Sequence, residues 1–132
     1  MPDVFNNIFG IHEQALHVRT KRAELLANNI ANSDTPGYKA RDLNFKDVLR
    51  NIQNSDMGLL NTTHHQHVNG MTESGVMQGL MYRSPMQPSI DGNTVDMHIE
   101  KAQFTENAMR YNASFTFLNG RIKGILGALR GD

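Results

Sequence analysis

Cysteine and tryptophan are both missing from the 132 residues. Without cysteine there are no disulfides, no thiol nucleophile and no cysteine-based zinc or iron–sulfur site. An excess of either charge is missing too, since 13 Lys and Arg balance 13 Asp and Glu. Binding to nucleic acid or to anionic lipid calls for a cationic surplus, so neither is expected. No run approaches the roughly 18 apolar residues that span a bilayer. The opening MPDVFNNIFG has neither a basic n-region nor an unbroken apolar h-region, so no cleaved signal peptide and no lipid anchor is expected. On composition alone the chain reads as cytosolic. Apolar material is also scarce. Leu, Ile, Val and Phe total 31 residues, only a little above the level of about 20% below which disorder is the default. Fourteen Asn and eleven Gly add little apolar area.

What apolar material there is lies at the two ends. Residues 50–93 hold seven of those 31 residues, and the flanks hold the other 24. The N-terminal flank predicts one helix over about residues 3–32, with Asp3 as N-cap. One apolar stripe runs through Phe5, Phe9, Leu16, Ala23, Leu26 and Ile30, and a second beside it through Ile8, Ile11, Ala15, Val18 and Leu25. The helix stops where Asn32-Ser33-Asp34-Thr35 meets Pro36-Gly37. A short helix follows, with Phe45, Val48, Leu49 and Ile52 on one face and Asp42 or Asn44 as its cap. Residues 55–75 read as loop, 76–83 as one short strand, and Asp91-Gly92 as a turn.

The C-terminal flank predicts a second long helix, capped by Asn93 or Thr94. Phe104, Ala108, Tyr111, Phe115, Leu118, Ile122, Ile125 and Leu129 follow alternating steps of four and three, the spacing of a helical packing seam. Gly120, Gly124, Gly127 and Gly131 recur along the same segment. Either the helix frays or ends at Gly120, or the glycines form a surface that a neighbouring helix approaches closely. The expected fold is mainly α. The N-terminal helix (1–35) and the C-terminal helix (94–132) pair antiparallel as one coiled-coil-like unit, and residues 36–93 form a turn, a short helix and a loop-rich insert.

Little in the chain suggests chemistry. His64, His65 and His67 form one metal-like cluster, but in a polar loop without further ligands at usual spacing. No nucleophile motif and no phosphate-cradling glycine loop is present. Neither enzyme activity nor a cofactor is expected. Two apolar helices whose faces are wider than one pairing needs point to an interaction protein that other chains complete. The alternatives are a helical adaptor or chaperone that does not polymerise and a metal-binding module built on the three histidines.

The segment LANNIANSDTPGYKARD, residues 26–42, closely resembles the signature of the bacterial flagellar rod and hook family. Residues 8–49 and 80–130 resemble in particular the proximal, B-type branch of the rod subunits. The resemblance implies a structural protein that stacks helically, with both terminal helices in the tube core. It implies copies of itself, the C-, F- and G-type rod subunits, the rod–ring adaptor and the membrane-ring protein as partners. It further implies export from the cytoplasm through the flagellar type III apparatus, which replaces the cytosolic reading with the periplasmic rod. Asn28, Asn29, Ala31, Asn32, Asp34, Thr35, Pro36, Gly37 and Tyr38 match the family motif residue by residue. They read as a helix stop combined with an inter-subunit contact, the asparagines capping carbonyls or donating to adjacent subunits.

Overall fold

A computed structural model describes residues 2–57 and 79–131, and the side chains of all these except 2–8 and 55–57. In chain order the elements are α1 (Pro2–Ala31), β1 (Arg41–Leu43), α2 (Phe45–Met57), β2 (Leu80–Tyr82) and α3 (Met97–Arg130). At 1.5 Å per residue, α1 and α3 span about 45 and 50 Å. They run antiparallel: Asn29 lies level with Glu100, Arg22 with Gln103 and Arg19 with Asn107. The mainly α fold with paired terminal helices is the expected one.

The middle region is more than an insert. β1 and β2 form an antiparallel ribbon with Arg41 opposite Tyr82 and Leu43 opposite Leu80. Together with α2 it covers Val18 and Leu25 of the second stripe of α1, whereas Ile11 of that stripe is exposed. Val18, Leu43 and Val48 form the buried cluster, and Leu25, Phe45, Ile52 and Leu80 pack against it. Thus α1 has two buried sides. One side carries Val18 and Leu25 and meets the middle region, while the other meets α3. Of the first stripe, Leu26 is fully buried, Phe9, Leu16, Ala23 and Ile30 are half-buried, and the Phe5 side chain lies outside the described residues.

Several boundaries differ from expectation for local reasons. α1 begins at Pro2, so Asp3 lies inside its first turn rather than capping it. Asn44, not Asp42, caps α2: its Oδ1 accepts from Asp47 N at 3.4 Å and its carbonyl from Val48 N at 3.0 Å. α3 is capped by Asp96, whose Oδ1 accepts from His98 N and Ile99 N at 3.0 and 3.3 Å. Asn93 and Thr94, the expected caps, are engaged elsewhere. α3 runs unbroken through Gly120, Gly124 and Gly127 and closes at Gly131, in the left-handed conformation at φ 77°. The reading in which it ends at Gly120 is therefore wrong. β1 had no counterpart in the sequence reading, and the histidine cluster lies outside the described residues.

Candidate assembly surfaces

The motif after α1 is a locked corner. Asn29 is fully buried, and its carboxamide bridges the backbone of Arg41 both ways, Nδ2 donating to Arg41 O at 2.7 Å and Oδ1 accepting from Arg41 N at 3.1 Å. The same carboxamide donates to Glu100 Oε2 at 3.0 Å and accepts from the Tyr38 hydroxyl at 3.3 Å. Its capacity is spent inside the chain, so Asn29 is not the donor to an adjacent subunit that the motif suggested. From the other side Asn93 Nδ2 donates to the carbonyls of Asn32, Ser33 and Thr35 at 3.0, 2.8 and 2.9 Å. These are carbonyls of the helix end and the turn after it, so a residue some 60 positions downstream closes the corner. Asn32 Nδ2 returns to Asn28 O at 2.8 Å, and Gly37, at φ 72°, donates its N–H to Asp91 O at 2.9 Å. Asn28, Ala31, Asp34, Thr35, Pro36 and Gly37 face outward, while Asn32 and Tyr38 are half-buried.

Beside the corner, an ionic tie joins four elements. Arg22 of α1 grips Asp42 of β1 with two parallel bonds, Nε–Oδ1 at 2.8 Å and Nη2–Oδ2 at 3.0 Å, and reaches Gln103 Oε1 of α3 at 2.7 Å. Arg83, just after β2, bridges Asp42 and the fully buried Glu100 of α3. Burial alone would raise the Asp42 pKa. The Arg22 bond and charge, the Leu43 N–H at 2.7 Å and Arg83 outweigh it and hold the carboxyl below its ordinary range. The bond to Asp42 raises Arg22 above its usual value. Sequence reasoning missed this cluster. Nothing in the apolar spacing marks Glu100 as buried, and charged side chains are almost never fully buried unless paired. The available signal was that Arg22 sits inside a helix stretch whose neighbours Ala23, Leu25 and Leu26 are all apolar.

α3 meets α1 through a polar edge. Glu100, Gln103 and Asn107 hydrogen-bond α1, and they stand beside the apolar seam. The seam itself is largely open. Phe104, Tyr111, Phe115, Ile122 and Leu129 are exposed, as is Ala108, whereas Leu118 and Ile125 are half-buried. On the far side of α3, Met109 and Phe117 are exposed, in line with Gly120, Gly124 and Gly127 at about 100° per residue. A methyl group added at any of these three glycines would meet no atom within 4 Å. Among the described residues nothing packs onto them.

Between α1 and α3 lies an open groove of about 360 Å³, lined by Arg19, Thr20 and Ala23 and by Phe104, Asn107, Ala108, Tyr111 and Asn112. The Arg19 guanidinium sits over the Phe45 ring at 4.0 Å, and burial together with the Arg110 and Arg22 charges lowers its pKa. Asn107 Nδ2 donates to Arg19 O at 2.9 Å. Arg19 Nε–H and Asn107 Oδ1 are both buried without a partner among the described residues, where each unmet group costs about 1–3 kcal/mol.

Among the described residues no group of three His, Asp or Glu side chains is placed to hold a metal, and no helix is long and apolar enough to cross a membrane. Two long paired helices on a small core, the second with apolar side chains open to solvent, suit a structural subunit. Residues 10–39 match the family described as flagella basal body rod protein. The chain is similar over nearly its whole length to proteins named flagellar basal body rod protein FlgB. It is 46% identical to that of Aeromonas hydrophila, covering 97% of this chain and 96% of the relative. It is 43% identical to one from Cereibacter sphaeroides, covering 97% and 98%. With the protein of Escherichia coli K12 the identity is 39%, covering 98% of each chain. The chain belongs to the FlgB family of flagellar basal body rod proteins, and its place is the flagellar basal body.

Proposed function

We propose that the chain polymerises helically through α1 and α3 to form the cell-proximal part of the rod. In this reading it contacts further copies of itself and the C-, F- and G-type rod subunits, and meets the rod–ring adaptor and the membrane-ring protein at the proximal end. It is exported through the flagellar type III apparatus and catalyses nothing. The observation that carries the reading is the apolar row on α3, of which Phe104, Tyr111, Phe115, Ile122 and Leu129 stay more than a third exposed among the described residues. A soluble adaptor would not leave so much apolar surface to water. The outward members of the motif, Asn28, Asp34, Thr35 and Pro36, supply a second contact, and the open glycines of α3 a third. The test is complementation of a flagellated strain that lacks its own subunit of this type, with Gly124→Leu beside the unaltered chain. The unaltered chain restores complete rods. Gly124→Leu is secreted normally but is at least tenfold depleted from purified basal bodies. Rods built equally well by Gly124→Leu would remove the glycine contact, and failure of the unaltered chain to enter rods would remove the reading.

A further inference from the structure

The two-stranded ribbon has one edge closed and one open. Arg83 N donates to Ala40 O at 2.9 Å and Asn44 N to Gly79 O at 3.4 Å. Those two pairs, with Asp42 opposite Met81 midway between them, are the bonded rungs of the ladder. The rungs between, Arg41 opposite Tyr82 and Leu43 opposite Leu80, therefore turn their N–H and C=O groups away from the ribbon. On the β1 side the Asn29 carboxamide takes both groups of Arg41, and Asp42 Oδ1 accepts from Leu43 N. On the β2 side no strand follows, and the N–H and C=O of Leu80 and Tyr82 have no partner among the described residues. Natural sheet edges are guarded by charge, proline or a bulge. Leu80-Met81-Tyr82 carries none of these. Arg83, the nearest cation, is drawn inward to Asp42 and Glu100. Met81 and Tyr82 are 52% and 69% exposed.

We propose that the open edge of β2 accepts an extended strand from a different protein of the basal body. The recognition is main-chain: donors and acceptors at two-residue spacing meet Leu80 and Tyr82, with one apolar side chain against Tyr82 and another against Met81 on the opposite face. The described segments of the chain itself do not fit. β1 is engaged on both edges. A second copy's β2 would pair about a two-fold axis, a contact spent on two chains. Residues 83–90 carry Pro85 and Pro88 three positions apart, so whichever side faced the edge would present a proline without an N–H. The edge also lies away from the glycines of α3. Arg83 ties it to the level of Glu100, and 20 residues of helix separate that level from Gly120 by about 30 Å. Three residues make a short edge, so the pairing adds to larger contacts in the assembled rod and does not hold a partner to the isolated chain.

The test uses the whole chain in purified basal bodies. A photoreactive benzoyl-phenylalanine in place of Tyr82 is expected to give one adduct, to a different polypeptide and within an extended segment of it. Tyr82→Pro removes an N–H that the ribbon does not use, so its helix content in isolation stays the same. It is expected to be secreted normally and to be about tenfold depleted from basal bodies, the loss of roughly one main-chain bond. Tyr82→Thr keeps the N–H and the strand preference and enters at the level of the unaltered chain. Should Tyr82→Pro lose helix content, the adduct alone decides. An adduct within the chain or to a further copy, rods that give no adduct, or equal incorporation of Tyr82→Pro and Tyr82→Thr would each overturn the proposal. None of these outcomes bears on polymerisation through α1 and α3, which fails only if the unaltered chain does not enter rods.

Discussion

Asp42→Asn tests what holds the middle region to the two long helices. The carboxylate takes two bonds from Arg22 at 2.8 and 3.0 Å, one from the Leu43 N–H at 2.7 Å and one from Arg83. An amide removes the charge and turns one acceptor into a donor that faces two guanidinium groups. Both cations are largely withdrawn from water, with side-chain exposures of 14% and 22%, so neither recovers full hydration. Removing one partner of a buried pair costs about 3–5 kcal/mol. Here Arg22 keeps Gln103 and Arg83 keeps Glu100, so the lower end applies, about 3 kcal/mol. A domain of this size holds about 7–20 kcal/mol in total, and so small an apolar core places this one toward the bottom of that range. The loss is therefore a large share of the whole.

Urea unfolding of the purified chain, followed by far-UV circular dichroism, reads it directly. With a slope of about 2 kcal/mol/M the midpoint falls by about 1.5 M at unchanged slope. The comparison is Glu24→Gln, which breaks the exposed pair with Lys21 at 3.1 Å and costs under about 0.5 kcal/mol. The acid limb supplies a second readout. Because the folded Asp42 titrates below the ordinary 3.8, its contribution is complete above that pH and is lost as pH falls through the lower, folded value. Asp42→Asn therefore flattens the loss of stability below about pH 4. If Asp42→Asn and Glu24→Gln shift the midpoint equally, the ionic tie is not what joins these elements.

Asn29→Ala strands the Arg41 backbone groups in the corner and is expected to cost about 3 kcal/mol in the same urea assay; a change below 1 kcal/mol would refute the corner as a structural lock. Asp96→Ala removes the cap of α3 and is expected to cost about 1 kcal/mol. Thr94→Ala is a different test, because Thr94 Oγ1 accepts from Ala40 N at 2.8 Å, and its effect belongs to the ribbon rather than to helix α3. Amide exchange in the dilute chain is expected to be slow at Val18, Leu26 and Asn107 and fast along α3 beyond Leu118, where Ile122, Leu126 and Leu129 are exposed and three glycines weaken the helix. Strong protection of both long helices to their ends would refute this.

The parts of the fold that were legible in the sequence are those written in apolar spacing over many turns. Thirty residues of α1 and 34 of α3 repeat their pattern often enough to be read, and so does the face of α2 through Phe45, Val48 and Ile52. Of the ribbon only β2 was legible, inside the strand expected over 76–83; β1 was not, because three residues are too few to show an alternation of period two. Nor was the inner side of the helix pair. Hydropathy assigns the inside of α3 to Phe104, Tyr111 and Phe115, yet the hydrogen bonds to α1 come from Glu100, Gln103 and Asn107, and of the seam it is Leu118 and Ile125 that are half-buried. The seam is real as a pattern, but six of its eight side chains are exposed among the described residues. An apolar inner face would let α1 and α3 slide by a turn at little cost, since one leucine level resembles the next. Three directional contacts, Arg22 to Gln103, Asn29 to Glu100 and Asn107 to Arg19, fix one register instead. A subunit whose outer apolar rows must meet those of neighbours needs its own two helices held at one axial offset. The polar residues that set register therefore sit inside the pair, and the apolar side chains left most open, such as Phe115 and Leu129, stand where a neighbour would bury them.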